Sequence, residues 1–156
     1  MPNKKILAIL QNQWFRNPGQ VKAIYQRYPE QRNRLIRDFL FMGCLSGKRL
    51  MSALGEELCY QIIWEEASPE IGSYSGSNFG ADLVHIRSAI KKHSPEIVVA
   101  FGKIAGDAVR LIEAEKKIKL NFLYGPHPAA RINPVEALSS LRLQINEMKG
   151  ELSHAG

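Results

Sequence analysis

Two short polar segments hold the side chains best suited to chemistry, Gln11-Asn12-Gln13-Trp14-Phe15 and Gly125-Pro126-His127-Pro128-Ala129-Ala130-Arg131. An amide such as that of Asn12 can position a water by hydrogen bonding, although it is no strong base. An imidazole such as that of His127 offers a donor and an acceptor near neutral pH. Trp14 and Phe15 supply flat faces on which another ring can stack. Neither segment contains a lysine, so neither can form an imine. Each residue also has a structural reading. Asn12 can cap a turn, His127 can be a loop histidine satisfied by a neighbouring carbonyl, Trp14 and Phe15 can be core aromatics, and Arg131 can be a solvated charge.

Other chemistries have no foothold. The chain contains no P-loop and no GxGxxG. Cys44 and Cys59 lack CxxC spacing or a nearby histidine pair, and His85, His93 and His154 show no ligand spacing, so no metal and no cofactor are expected. An iron–sulfur cluster does not fit two cysteines. Both are expected to act as small buried residues, Cys44 at a helix end and Cys59 at the start of a strand. His85 falls on the apolar edge of a helix and reads as structural.

The elements that must position these segments follow from hydrophobic patterning. Lys4–Leu10 is a short apolar run typical of a strand buried on both faces, and it ends in a turn-rich loop with Asn17, Pro18 and Gly19. A helix opens near Gln20. Asn33–Phe41 has an apolar side of Leu35, Ile36, Phe39 and Leu40 opposite arginines, and Gly47–Leu54 is a shorter helix. Cys59–Trp64 reads as a second strand, followed by a Ser- and Gly-rich loop from Ser68 to Gly80 whose length points to function. Helix Asp82–His93, strand Glu96–Phe101, helix Lys103–Glu115, strand Lys119–Tyr124 and helix Val135–Lys149 complete the series. Strands alternating with helices predict a three-layer α/β/α sandwich with a central four-stranded parallel sheet, as one domain over residues 1–150 and a frayed tail at 151–156. In such sheets ligands bind outside the carboxyl ends of the strands, which is where both polar segments fall.

A chain of 156 residues, 45% hydrophobic and 23% charged, suits one globular core. A formal charge of +6 and a pI near 9.4 favour anionic partners. No apolar stretch approaches the roughly 18 residues of a membrane span, and Met1–Lys5 leads straight into a strand, so a cytoplasmic protein without membrane contact is expected.

The two polar segments, in this order on this strand pattern, resemble the motifs of the uracil-DNA glycosylase superfamily. Leu10-Gln11-Asn12-Gln13-Trp14 is similar to its GQDPY or GINPG motif, and His127-Pro128-Ala129-Ala130-Arg131 to its HPSPLS or NPSGLSR motif. The stretches NRLIRDFLFMGCLSGKRL and IVVAFGKIAGDAV extend the likeness over roughly Lys4 to Arg131. Gln13 replaces the proline of the first motif, Leu10 its leading glycine, and Ala129 the serine of the second. Trp64, Glu65 and Glu66 stand where the family has its uracil-reading asparagine.

The resemblance implies a divergent DNA glycosylase that flips a nucleotide and hydrolyses the N-glycosidic bond of uracil or another deaminated base. It implies that Asn12 orients the attacking water and that His127 donates a hydrogen bond to the departing base. Gln11, Trp14 and Phe15 would contact the base, with Trp14 as a side wall. Ala130 and Arg131 would enter the helix gap, and Lys48, Arg49 and Lys103 would meet phosphates, Lys103 at a helix start where free amides favour anions. The enzyme is expected to be monofunctional, metal-free and monomeric, with DNA as its partner. The competing expectation is a non-catalytic nucleic-acid- or nucleotide-binding module on the same fold.

Overall fold

The apolar run after Lys5 forms strand β1 (Ile6–Leu10), buried along its whole length. The structure is a computed structural model and describes residues 4–74, 76–77, 79–115 and 120–154. Strand β1 lies between two parallel neighbours, β3 (Ile63–Glu66) and β5 (Ile97–Phe101), while β6 (Asn121–Gly125) pairs with the far edge of β5. The sheet order is β3-β1-β5-β6, all parallel. A second, two-residue pair joins β2 (Gln13–Trp14) to β4 (Ile71–Gly72).

Alternation along the strands divides the core between two layers, as the two-residue period of a strand requires. Ile6, Ala8 and Leu10 of β1, with Ile97, Val99 and Phe101 of β5, face one layer. That layer contains α1 (Pro18–Arg27), α2 (Arg32–Leu40), α3 (Leu45–Leu54), α4 (Glu56–Gln61) and α7 (Val135–His154). Leu7, Ile9, Val98 and Ala100 face the other, built from α5 (Leu83–His93) and α6 (Lys103–Ala114). The three-layer α/β/α sandwich and its four-stranded parallel sheet are therefore present as the patterning implies.

The second strand begins later than the run Cys59–Trp64 suggests. Residues Glu56–Gln61 are helical, Leu58 and Cys59 face the core from α4, and the strand starts at Ile63. Gly55 supplies the turn at φ 86°, and Glu56 and Glu57 in the first helical turn favour a helix through its dipole. Cys44 is exposed, contrary to expectation. It caps α3, accepting from the Gly47 amide at 3.4 Å and donating to the Leu40 carbonyl at 3.2 Å. Cys59 is buried, and burial pushes its thiol up to about 12. Helix α7 continues to His154, which takes in most of the segment expected to fray. Lys119, the first residue of the expected fourth strand, lies outside the described residues.

The helical layers meet the sheet edge at one carboxylate. Glu65, 3% exposed at the end of β3, accepts from Arg32 of α2 (Nη2–Oε1 2.7 Å), from Asn33 of α2 (Nδ2–Oε2 2.9 Å) and from His85 of α5 (Nε2–Oε1 2.9 Å). Asn33 also donates to the Trp64 carbonyl at 2.8 Å. Burial opposes ionisation of Glu65, but the His85 and Arg32 hydrogen bonds and the Arg32 charge outweigh it and hold the carboxyl at about 2. His85 is thereby structural, as its position on α5 suggests.

A folded-state pKa of about 2 against an ordinary 4.5 means that Glu65 stabilises the fold fully above the ordinary value and loses that contribution as pH falls through 2. Arg32→Ala leaves a buried carboxylate without its cation and should lower stability by about 3 kcal/mol at pH 7 in urea unfolding, with a smaller difference from the parent protein at pH 3. An equal loss at both pH values would show that the charge pair is not what holds the edge strand.

Candidate active site

The parallel register brings the carboxyl ends of β1 and β3 together, with Leu10 opposite Glu66. Beyond the strands the two chains stay paired, the Ala67 amide donating to the Leu10 carbonyl at 2.6 Å and the Ser68 amide to that of Gln11 at 3.1 Å. The chain leaving β1 is then tied to the loop after β3 by the β2–β4 pair and by the Phe15 amide, which donates to the Gly72 carbonyl at 2.9 Å. Gly72 is required here, since a Cβ would fall 2.1 Å from that of Ser77. Part of the long Ser- and Gly-rich loop after β3 is thus a fixed wall.

The loop leaving β6 is brought to the same edge. The Gly102 amide donates to the Gly125 carbonyl at 2.8 Å, and Gly102 has φ 87°, a conformation other residues rarely adopt. A Cβ on Gly102 would lie 3.1 Å from the Cβ of His127, so this glycine leaves room for the histidine loop to close over the start of α6. Arg49 of α3 holds the loop from the other side, its Nη1 donating to the carbonyls of Pro128 at 3.0 Å and Ala130 at 2.8 Å. Pro126 and Pro128 narrow the loop's backbone freedom further.

A cavity of about 730 Å³ lies between these loops, within the range of small-molecule sites. Gln11, Asn12, Trp14 and Phe15 line it from the first segment and His127 from the second. Asn12 spends both amide protons on backbone carbonyls, Nδ2 donating to Gln13 at 3.1 Å and Ser77 at 3.2 Å. That fixes the amide's orientation, and Oδ1 is left as an acceptor able to hold a water by one of its protons. His127 accepts the Ala129 amide proton on Nδ1 at 3.0 Å. An N–H can bond only to an unprotonated ring nitrogen, so the ring proton sits on Nε2 and His127 is a neutral donor. Burial without a counter-charge pushes its pKa below the ordinary 6.5, which keeps this form at neutral pH.

No family model, curated protein or solved structure matches the chain.

The remaining expected residues divide. Trp14 is 46% exposed at the cavity rim, which removes the reading of it as a core aromatic. Phe15 is half-buried, edge-on to Phe39 with centroids 5.1 Å apart, so it serves both core and cavity. Arg131 is exposed, beside Ile132, whose side chain is 88% exposed. Ala130 is half-buried and contributes its carbonyl to Arg49. Lys48 and Lys103 are exposed and outside the cavity lining. Arg49, expected to meet phosphate, is half-buried and uses its Nη1 to hold the His127 loop. Among the described residues no group of His, Cys, Asp or Glu is arranged to hold a metal ion, and no helix is long and apolar enough to cross a membrane.

Three contributors to the cavity were not singled out by sequence. Ser77 anchors Asn12, and Gln13 is fixed by Tyr25, whose hydroxyl donates to Oε1 at 2.6 Å. Burial pushes the Tyr25 phenol up to about 12, which keeps it a donor. The third is Glu66, 4% exposed, on the cavity wall beside Glu65. The available signal was two adjacent acids, Glu65 and Glu66, ending an apolar strand.

Nitrogen-detected NMR should find His127 as the Nε2–H tautomer, titrating below 6.5. Gly102→Ala should disturb this ring by crowding its Cβ and should destabilise the fold by about 1–3 kcal/mol from backbone strain. An Nδ1–H tautomer would contradict the donor geometry.

Proposed function

We propose that the chain is a monofunctional DNA glycosylase of the uracil-DNA glycosylase kind, hydrolysing the bond between deoxyribose and uracil or another deaminated base. The observation that carries this reading is that Asn12 and His127, from loops 115 residues apart in sequence, line one cavity as an acceptor and a neutral donor. Hydrolysis of an N-glycosidic bond needs those two groups. As the C1′–N bond breaks, its electron pair leaves with the base and positive charge develops on the sugar. Asn12 Oδ1 would hold a water by one proton with its lone pair turned to C1′, and the displaced proton passes to solvent. His127 Nε2–H would bond to the base carbonyl on which negative charge collects.

A neutral imidazole suits this role because its hydrogen bond strengthens as the charge grows in a water-poor site. The described cavity lining contains no lysine, which favours direct hydrolysis over an imine route. The base must reach the cavity by leaving the stack. The net charge of +6, with Lys48, Lys103 and Arg131 exposed, supports attraction to the phosphate backbone. Arg131 and Ile132, both exposed on the chain that follows His127, would fill the gap left by the base.

The test is a gel assay on single- and double-stranded oligonucleotides carrying one uracil, hypoxanthine or xanthine. The parent protein should produce alkali-labile sites with at least one of them. Asn12→Ala and His127→Ala should each slow release by roughly 10²- to 10³-fold, with thermal unfolding little changed. No alkali-labile product from any base would reject the enzyme, and salt-dependent binding without turnover would then favour the non-catalytic module.

A further inference from the structure

The loop that carries His127 is a tight turn with hydrogen bonds of its own. The Ala130 amide donates to the His127 carbonyl at 3.0 Å, and the Ala129 amide donates to Nδ1 of the ring at 3.0 Å. This second donor belongs to the peptide group between Pro128 and Ala129, which is planar and trans, so its N–H and its carbonyl point in opposite directions. The N–H meets His127, and the Pro128 carbonyl meets Nη1 of Arg49 at 3.0 Å. The same Nη1 also holds the Ala130 carbonyl at 2.8 Å. A guanidinium and an imidazole are thus joined through one rigid peptide group.

The helix that supplies Arg49 is itself fixed. Gly47 of α3 packs so closely on the end of α2 that a Cβ would collide with the Leu40 carbonyl, and Leu50 and Leu54 are buried in the core. Arg49 lies between these anchors and is half-buried. A cation on a carbonyl draws electrons toward the oxygen, which makes the N–H of the same peptide group a stronger donor. The bond to Nδ1 therefore gains both direction and strength from Arg49, and the ring keeps its proton on Nε2.

We propose that Arg49 is a positioning residue for His127, acting through the Pro128–Ala129 peptide group to aim the ring and hold its proton on Nε2. The assignment rests on the reading that His127 is the donor to the departing base. Arg49 then serves the chemical step, whereas a phosphate contact would serve the binding of DNA.

Two variants test this. Arg49→Met keeps an apolar stem and loses the donors, and Arg49→Gln carries an amide that ends two bonds short of Nη1. In the free parent protein, at a pH where the ring is neutral, NMR should show a scalar coupling across the Ala129 N–H···Nδ1 bond. Arg49→Met should lose that coupling, and its Nδ1 resonance should move toward the protonated position as the second tautomer appears. Single-turnover release from whichever uracil, hypoxanthine or xanthine oligonucleotide the parent cleaves should slow by roughly 10- to 100-fold. The Kd for that DNA and its salt dependence should stay close to the parent's. In a His127→Ala background, Arg49→Met should cost less than about twofold, because the two residues act as one unit.

A phosphate ligand behaves in the opposite way, with weaker DNA binding, a salt slope reduced by about one and the coupling intact. That pattern in a folded Arg49→Met, or full additivity with His127→Ala, would overturn the proposal. If Arg49→Met does not fold, the same measurements on Arg49→Gln decide, and failure of both to fold would make Arg49 a structural residue instead. The two readings fail separately. A lost coupling in a protein that releases no base rejects only hydrolysis, and base release with an unchanged coupling rejects only the role of Arg49.

Discussion

Glu65 is the point through which both helical layers are fixed to the edge of the sheet. Arg32 and Asn33 reach it from α2 and His85 from α5, and Asn33 also takes the Trp64 carbonyl on the same strand. A carboxylate buried this deeply is tolerated because four donor groups and one guanidinium charge surround it. The clamp sets the position of α2, whose Phe39 and Leu40 form part of the cavity, and it fixes where β3 ends. Hydrogen bonds from Ala67 and Ser68 then carry that order onto the chain leaving β1. The placement of Asn12 is therefore a consequence of an ion pair on the other side of the strand end.

The sheet was legible because its strands are buried on both faces and read as unbroken apolar runs. Ile6–Leu10 and Ile97–Phe101 fall within the segments that patterning marks, and the helix after Gly102 begins where a glycine and a change of period coincide. The run Cys59–Trp64 misled for a physical reason. A short apolar stretch has no period of its own, and α4 uses Leu58 and Cys59 for a helical face before the backbone extends. Cys44 was misread because a thiol can cap a helix like a hydroxyl, a local role that burial statistics do not register.

Within the site, the residues legible in sequence were those on loops, where polar and aromatic types stand out against the strand pattern. The parts that stayed hidden act across long separations. Ser77 meets Asn12 from 65 residues away, and Arg49 reaches the His127 loop from 79 and 81 residues away. Arg49 has a use that composition alone does not reveal. A basic residue on an amphipathic helix reads as a phosphate ligand, yet two carbonyls of a proline-bounded loop are an equally good use of a guanidinium.

The two loops of the cavity are held by backbone groups and by side chains from distant elements. At Ala129 the backbone amide fixes the His127 tautomer, so the donor is an N–H and not a side chain. Gln13 is held by a strand pair and by the Tyr25 hydroxyl, so rigidity there comes from hydrogen bonds. The adjacent acids at the end of β3 are pushed in opposite directions: Glu65 collects the available donors and is held low, while burial and the Glu65 charge push Glu66 up. In a low-dielectric site that asymmetry is self-reinforcing, since each negative charge fixed on Glu65 raises the cost of a second one on Glu66.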